Sequence, residues 1–85
     1  MEDIFKVSIL APEGKIFEGS AESLVAPAST GYVGILAHHA PFITMLGQGK
    51  ITVRDGAGKI TAFDCLGSGF LEVSKNKAVL LVDSD

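Results

Sequence analysis

A chain of 85 residues is long enough for one domain only, near the small end of what folds alone, and buries about 60–65% of its unfolded surface. A net charge of −3, with seven basic residues scattered and never in a run, argues against nucleic acid, which is held through clustered lysine and arginine. The longest fully apolar run, Ala78-Val79-Leu80-Leu81-Val82, is far short of the roughly 18 residues of a membrane span. The Met1-Glu2-Asp3 start lacks the basic region of a secretory signal. The single cysteine, Cys65, cannot form an internal disulfide, which fits a reducing compartment, so a soluble, cytoplasmic chain is expected. Yet 47% of the residues are hydrophobic and the mean hydropathy is +0.39, more apolar material than so small a core can hide. Part of it is expected to meet a partner.

No segment of useful length has helical period; short strand-like runs recur between Gly, Pro, Asn and Asp. Asp3 to Leu10 alternates, with Phe5, Val7 and Ile9 on one face, and Pro12-Glu13-Gly14 ends it. Lys15–Phe17 and Glu22–Ala26 read as short strands, the first closed by Gly19 and the second leading into Pro27. Gly31 to Phe42 packs two glycines, two adjacent histidines and a proline into twelve residues and is expected to turn sharply. Ile51 and Val53 then alternate with Lys50, Thr52 and Arg54, and Asp55-Gly56-Ala57-Gly58 suits a tight hairpin, since Asp and Gly tolerate positive φ. Ile60–Leu66 returns antiparallel, Gly67-Ser68-Gly69 interrupts, and Phe70–Val73 follows. Ser74-Lys75-Asn76-Lys77 makes another hairpin with Asn76 left-handed, and Ala78–Val82 hardly alternates and reads as buried on both faces. The expectation is all-β: a flattened antiparallel β-sandwich of nine or ten short strands in two sheets, one domain over residues 1–85.

Catalytic readings fare badly. His38 and His39 are adjacent, so on an extended backbone they point to opposite faces and cannot share a metal. The only cysteine is distant in sequence, with no metal-ligand spacing; it reads as a buried structural thiol, and a Cys–His nucleophile pair with His39 has no support. Gly47-Gln48-Gly49-Lys50 fails as a phosphate loop, because Thr44 and Ile51 stand where Gly and Ser or Thr are required. Gly31-x-x-Gly34 is flanked by strand-like sequence rather than the two helices of an RNA-binding GxxG clamp. Asp64 and Glu72 are isolated carboxylates. A turn histidine usually pins loop backbone through its ring nitrogens; the alternative is that His38 or His39 faces a partner.

Gly31-x-x-Gly34-Ile35 followed by His39-Ala40-Pro41-Phe42 resembles the signature of the ε subunit of F-type ATP synthases, in which the usual form is near G-x-x-G-I-x-P-x-H-A-P-L. Phe17-Glu18-Gly19, Gly49-Lys50-Ile51 and Leu66-Gly67-Ser68-Gly69-Phe70-Leu71-Glu72-Val73 match further family features in order, so the resemblance covers nearly the whole chain. Ala37 departs from the family, which often has proline there. Family members usually continue into a C-terminal helical hairpin, where this chain stops at Ser84-Asp85; a naturally short subunit and a piece of a longer chain both fit.

The resemblance implies a non-catalytic rotor subunit of the central stalk, linking the γ subunit to the membrane c-ring and supporting the coupling of ion flow to ATP synthesis. It implies no cofactor, metal or catalytic residue. Ser29, Thr30, Gly31 and Tyr32 are expected at the c-ring loops, Ala11, His39 and Thr44 toward γ, and Gly34, Pro41, Gly67 and Gly69 at structural turns. Tyr32→Ala is expected to weaken c-ring attachment with the fold intact, and a chain without the hairpin is expected to bind no ATP. The implied location is peripheral, at the cytoplasmic face of a bacterial plasma membrane or, alternatively, the stromal face of a thylakoid. The rivals are a lipoyl- or biotin-type carrier domain, with Lys75 at a hairpin tip but without the usual residues around it, and a small-ligand-binding β domain.

Overall fold

A computed structural model describes residues 3–83; the acidic Met1-Glu2 and the terminal Ser84-Asp85 lie outside the described residues. Nine strands follow in chain order: β1 (Phe5–Ala11), β2 (Gly14–Ala21), β3 (Ser23–Ala28), β4 (Gly31–Leu36), β5 (Phe42–Met45), β6 (Gln48–Arg54), β7 (Ile60–Leu66), β8 (Gly69–Ser74) and β9 (Lys77–Val82). They form a five-stranded sheet, β2-β1-β9-β8-β5, and a four-stranded sheet, β4-β3-β6-β7. The expected two-sheet sandwich is present.

Two details differ from the sequence reading. β1 and β9 pair in parallel, from Lys6↔Lys77 to Leu10↔Leu81, so the first and last strands lie side by side in an otherwise antiparallel sheet. β9 does alternate: Ala78, Leu80 and Val82 are buried inward, while Val79 and Leu81 are half-buried on the outside. The expected Asp55 hairpin joins β6 to β7: Gly58 N donates to the Asp55 carbonyl at 3.0 Å, Gly58 has positive φ, and Asp55 Oδ1 accepts from the backbone N–H groups of Ala57 and Lys59.

The core lies between the inner faces, where Val7, Ile9, Leu71 and Leu80 of one sheet meet Leu24, Ile35, Ile51 and Cys65 of the other. Each large aliphatic residue contributes about 1.5–3 kcal/mol by leaving water. Phe17 of β2 meets Phe63 of β7 edge to face at 5.4 Å, closing the sandwich along one side. Cys65 is buried in this core as a free thiol.

The chain passes between sheets four times. At one end, here called the lower, the passages follow β2 and β4; at the upper end they follow β5 and β7. The upper passage from β7 to β8 uses Gly67 and Gly69, both with positive φ. A side chain on Gly69 would run into the Leu81 carbonyl, on top of the strain of φ 123°. Gly34, expected at a turn, instead lies inside β4 opposite Val25, exposed, with open space where a Cβ would stand. The turn comes later, in residues 37–41, where His38 has φ 63° and Pro41 precedes β5.

These environments predict opposite signs for one substitution. Gly69→Ala destabilises by about 2 kcal/mol or more, whereas Gly34→Ala is neutral or stabilises by up to about 1 kcal/mol, through loss of unfolded-state freedom. Urea unfolding of both variants measures this, and equal effects would contradict the assignment.

Candidate functional site

The residues with catalytic potential are dispersed. Among the described residues no three His, Cys, Asp or Glu side chains come together as a metal-binding group. The two histidines lie on a turn, not an extended strand. His39 Nδ1 is 2.7 Å from the Ala40 carbonyl, and its ring packs edge to face on Phe42 at 5.8 Å; His38 Nε2 is 3.9 Å from Asp3. Lys75 does stand at the tip of the β8–β9 hairpin, with φ 52°.

Ser29, Thr30, Gly31 and Tyr32 are brought together at the upper end, in the turn between β3 and β4. Tyr32, 61% exposed, is engaged by its own sheet. Pro27 sits in β3, which has neighbours on both sides, and a proline there has no N–H to give to a facing strand. The β3–β6 pairing accordingly stops at Val25↔Thr52. The Pro27 carbonyl accepts from Gly47 N at 2.7 Å, and Lys50 N, left without a strand partner on that side, donates to the Tyr32 hydroxyl at 3.1 Å. The phenol lies over Gly49, where any side chain would collide with it. Tyr32 thus lies on its own sheet and repairs it, so Tyr32→Ala would remove a sheet contact along with any anchor.

Ala11, Thr44 and His39 do not form one cluster. Ala11 ends β1 at the upper end, Thr44 lies on the edge strand β5, and His39 precedes that strand at the lower end. Between them lies a feature the sequence reading missed. On the outer face of the five-stranded sheet, register places Leu10 beside Leu81, Leu81 beside Phe70, and Phe70 beside Met45. Four apolar side chains thus form a row across four strands, flanked by Val79 and by Ile43, which pairs with Glu72. Met45 and Ile43 are 62% and 65% exposed. A shallow groove of about 310 Å³ runs along the upper part of the row, lined by Leu10, Ala11, Pro12, Phe70 and Leu81 among others. The signal available in sequence was the apolar residue at outward positions of β1, β8 and β9, where a solvated face alternates to polar.

The outer face of the other sheet differs. It carries exposed Val25, Leu36, Ile60 and Leu66, but interleaved with the ion pairs Lys50–Asp64 at 2.7 Å and Arg54–Glu22 at 3.6 Å. The hydrogen bond and charge of Asp64 hold the Lys50 ammonium above its ordinary range. Such exposed pairs contribute little to stability.

Together the fold and its surfaces define a small β-sandwich with an apolar row on one outer face. The chain matches the family described as "ATP synthase, Delta/Epsilon chain, beta-sandwich domain" over residues 4–84. It is 42% identical to the ATP synthase epsilon chain of Caulobacter vibrioides, over 89% of this chain and 86% of that one. To the epsilon chain of Leptospira interrogans it is 38% identical, over 92% of this chain and 60% of that one, so it spans about three-fifths of the longer relatives. Its fold is similar to that of chains in the Euglena gracilis mitochondrial ATP synthase OSCP/F1/c-ring assembly (TM-score 0.82, 19% identity, 89% of this chain and 48% of that one) and the Tetrahymena thermophila mitochondrial ATP synthase central stalk/c-ring (TM-score 0.74, 15% identity, 93% and 63%). The chain belongs to the ATP synthase delta/epsilon-chain family, of which it carries the β-sandwich domain.

Removing only the Tyr32 hydroxyl isolates the sheet repair. Tyr32→Phe is expected to cost about 0.5–1.5 kcal/mol, the range of one hydrogen bond, and to speed amide exchange at Lys50. Tyr32→Ala, which also uncovers Gly49 and Pro27, costs more. Urea unfolding with hydrogen exchange checks both; an unchanged Lys50 amide in Tyr32→Phe would refute the assignment.

Proposed function

We propose that this domain is a non-catalytic rotor module of the ATP synthase central stalk, joining the γ subunit to the c-ring and supporting the coupling of ion translocation to ATP synthesis. The observation that carries the reading, beyond family membership, is the apolar row Leu10–Leu81–Phe70–Met45 on one outer face. A contiguous apolar face rimmed by polar groups suits a lasting protein contact. Ala11 borders this face at the upper end, whereas Thr44 pairs with buried Leu71 on the inner side of β5 and His39 packs on Phe42, so of the residues the family resemblance points toward γ only Ala11 lines the apolar groove. The β3–β4 turn, Ser29 to Tyr32, meets the polar loops of the c-ring. It is small and polar at its tip, and the Tyr32 hydrogen bond to Lys50 holds it to the sheet.

Two contacts in different places on one rigid body allow torque to pass from ring to γ without chemistry in this chain. The module is peripheral to the membrane, on the cytoplasmic side in a bacterium or the stromal side in a plastid.

The first test is co-elution of this chain with the γ subunit from the same source on size exclusion, with titration for affinity. A one-to-one complex is expected. Met45→Asp, which puts a charge in an exposed position of the row, is expected to weaken it at least about tenfold, equivalent to about 1.4 kcal/mol, with the urea midpoint unchanged. Wild-type affinity in Met45→Asp would remove this face from the interface.

A further inference from the structure

Asn76 has more structural connections than any role as a turn residue requires. It is the second central residue of the β8–β9 hairpin, where Lys75 and Asn76 have φ 52° and 59° between paired Ser74 and Lys77, as a type I′ turn demands. Its backbone carbonyl accepts from Lys6 N at 3.3 Å. Its side-chain Oδ1 accepts from His38 N at 2.7 Å, and its Nδ2 donates to the Ile4 carbonyl at 2.9 Å. One carboxamide therefore ties together three segments remote in sequence: the start of β1, the β8–β9 turn and the loop that carries the chain from β4 to β5.

That loop is where support is needed. His38 holds a left-handed φ of 63°, uncommon for a residue other than glycine and costly unless its surroundings enforce it. β5, which follows, is four residues long and pairs on one side only, with β8. Its placement depends on what fixes its start, and the Asn76–His38 bond pins the loop to the turn of the same hairpin that β5 pairs with. His39, Thr44 and Met45 are carried on this segment.

We infer that Asn76 is the positioning residue of the γ-docking edge: its carboxamide holds the His38–His39 loop and β5 in their docked geometry before the partner arrives. This rests on the γ-facing reading above. A preformed edge avoids an ordering cost on binding, so losing the clip lowers affinity without removing any contact residue.

Asn76→Gly keeps the left-handed turn, which glycine adopts freely, and deletes only the side-chain clip. Asn76→Asp keeps the acceptor for His38 N and tolerates the same φ, while it turns the donor facing the Ile4 carbonyl into a second acceptor, which must swing away from it. With the chain and its γ subunit, two quantities are read for each variant: amide exchange at His38 and the Kd for γ. Asn76→Gly is expected to accelerate His38 exchange at least about tenfold and to raise the Kd about three- to tenfold, while core amides in β9 stay protected. Asn76→Asp is expected to restore His38 protection and a Kd within about twofold of wild type. The inference is overturned if Asn76→Gly binds γ as wild type does although His38 exchanges fast. It is equally overturned if Asn76→Asp protects His38 yet binds as weakly as Asn76→Gly. Should Asn76→Gly lose β9 protection, the Asn76→Asp comparison decides alone. A wild-type chain that binds no γ would overturn this inference and the rotor reading together, an outcome separable from the other two.

Discussion

The constraint on which this small sandwich depends is the supply of hydrogen-bond partners where the chain leaves one sheet for the other. A strand that ends releases N–H and C=O groups that must find partners or water, and here four passages do so within a short chain. The upper passages solve the problem with main chain. Ser29 N donates to the Met45 carbonyl, Gly47 N to Pro27, Leu46 N to Gly69 and Asp83 N to Ser68, so segments of both sheets are stitched to one another through backbone. The Ser68 hydroxyl adds a bond to Asp83 at 2.6 Å. The lower passages are more economical: Glu22 N donates to the Arg54 carbonyl across the first, and the second is held by the carboxamide of Asn76.

The two solutions give the ends different sensitivity to sequence. At the upper end a backbone bond survives most substitutions, and the demand falls on residues that let main chains approach, such as Gly69 beside the Leu81 carbonyl. At the second lower passage the demand falls on one side chain, and only Asn or Asp combines an acceptor at that reach with tolerance for a left-handed backbone. The middle of the four-stranded sheet shows a third version. Pro27 withdraws a donor from the β3–β6 seam, and the Tyr32 hydroxyl reaches over Gly49 to accept from Lys50 instead.

What was legible in the sequence was local. The two-period alternation of β1 and β6, the glycines at 67 and 69, the left-handed Asn76 and the buried Cys65 all follow from neighbouring residues and backbone sterics. What was not legible required knowing which strands are neighbours. The parallel β1–β9 pair joins segments some seventy residues apart, and only that pairing aligns Leu10 with Leu81 and completes the apolar row. β9 read as buried on both faces because outward Val79 and Leu81 are apolar; once placed, the same residues are half-buried on the outer face. Gly34 looked like a turn glycine from its company in the motif, yet it lies in mid-strand, and the sharp turn belongs to His38. The Tyr32–Lys50 and Asn76–His38 bonds span 18 and 38 residues and have no periodic signature at all.

The asymmetry between the two outer faces bears on function because it separates what the fold needs from what it displays. On the four-stranded sheet, exposed Val25, Leu36, Ile60 and Leu66 are interleaved with the charge pairs Lys50–Asp64 and Arg54–Glu22. On the five-stranded sheet one unbroken row across four strands is apolar, and nothing in the core requires it to be: Leu71, Leu80 and Ile9 already fill the inner side. An 85-residue domain has little stability to spare, and outward leucines and phenylalanine add little to it while raising the risk of association. Their placement therefore makes physical sense as the surface of a domain that works covered. The neighbouring edge strand β5, kept to four residues and pinned at its start, is then suited to closing against a partner rather than to open-ended strand pairing.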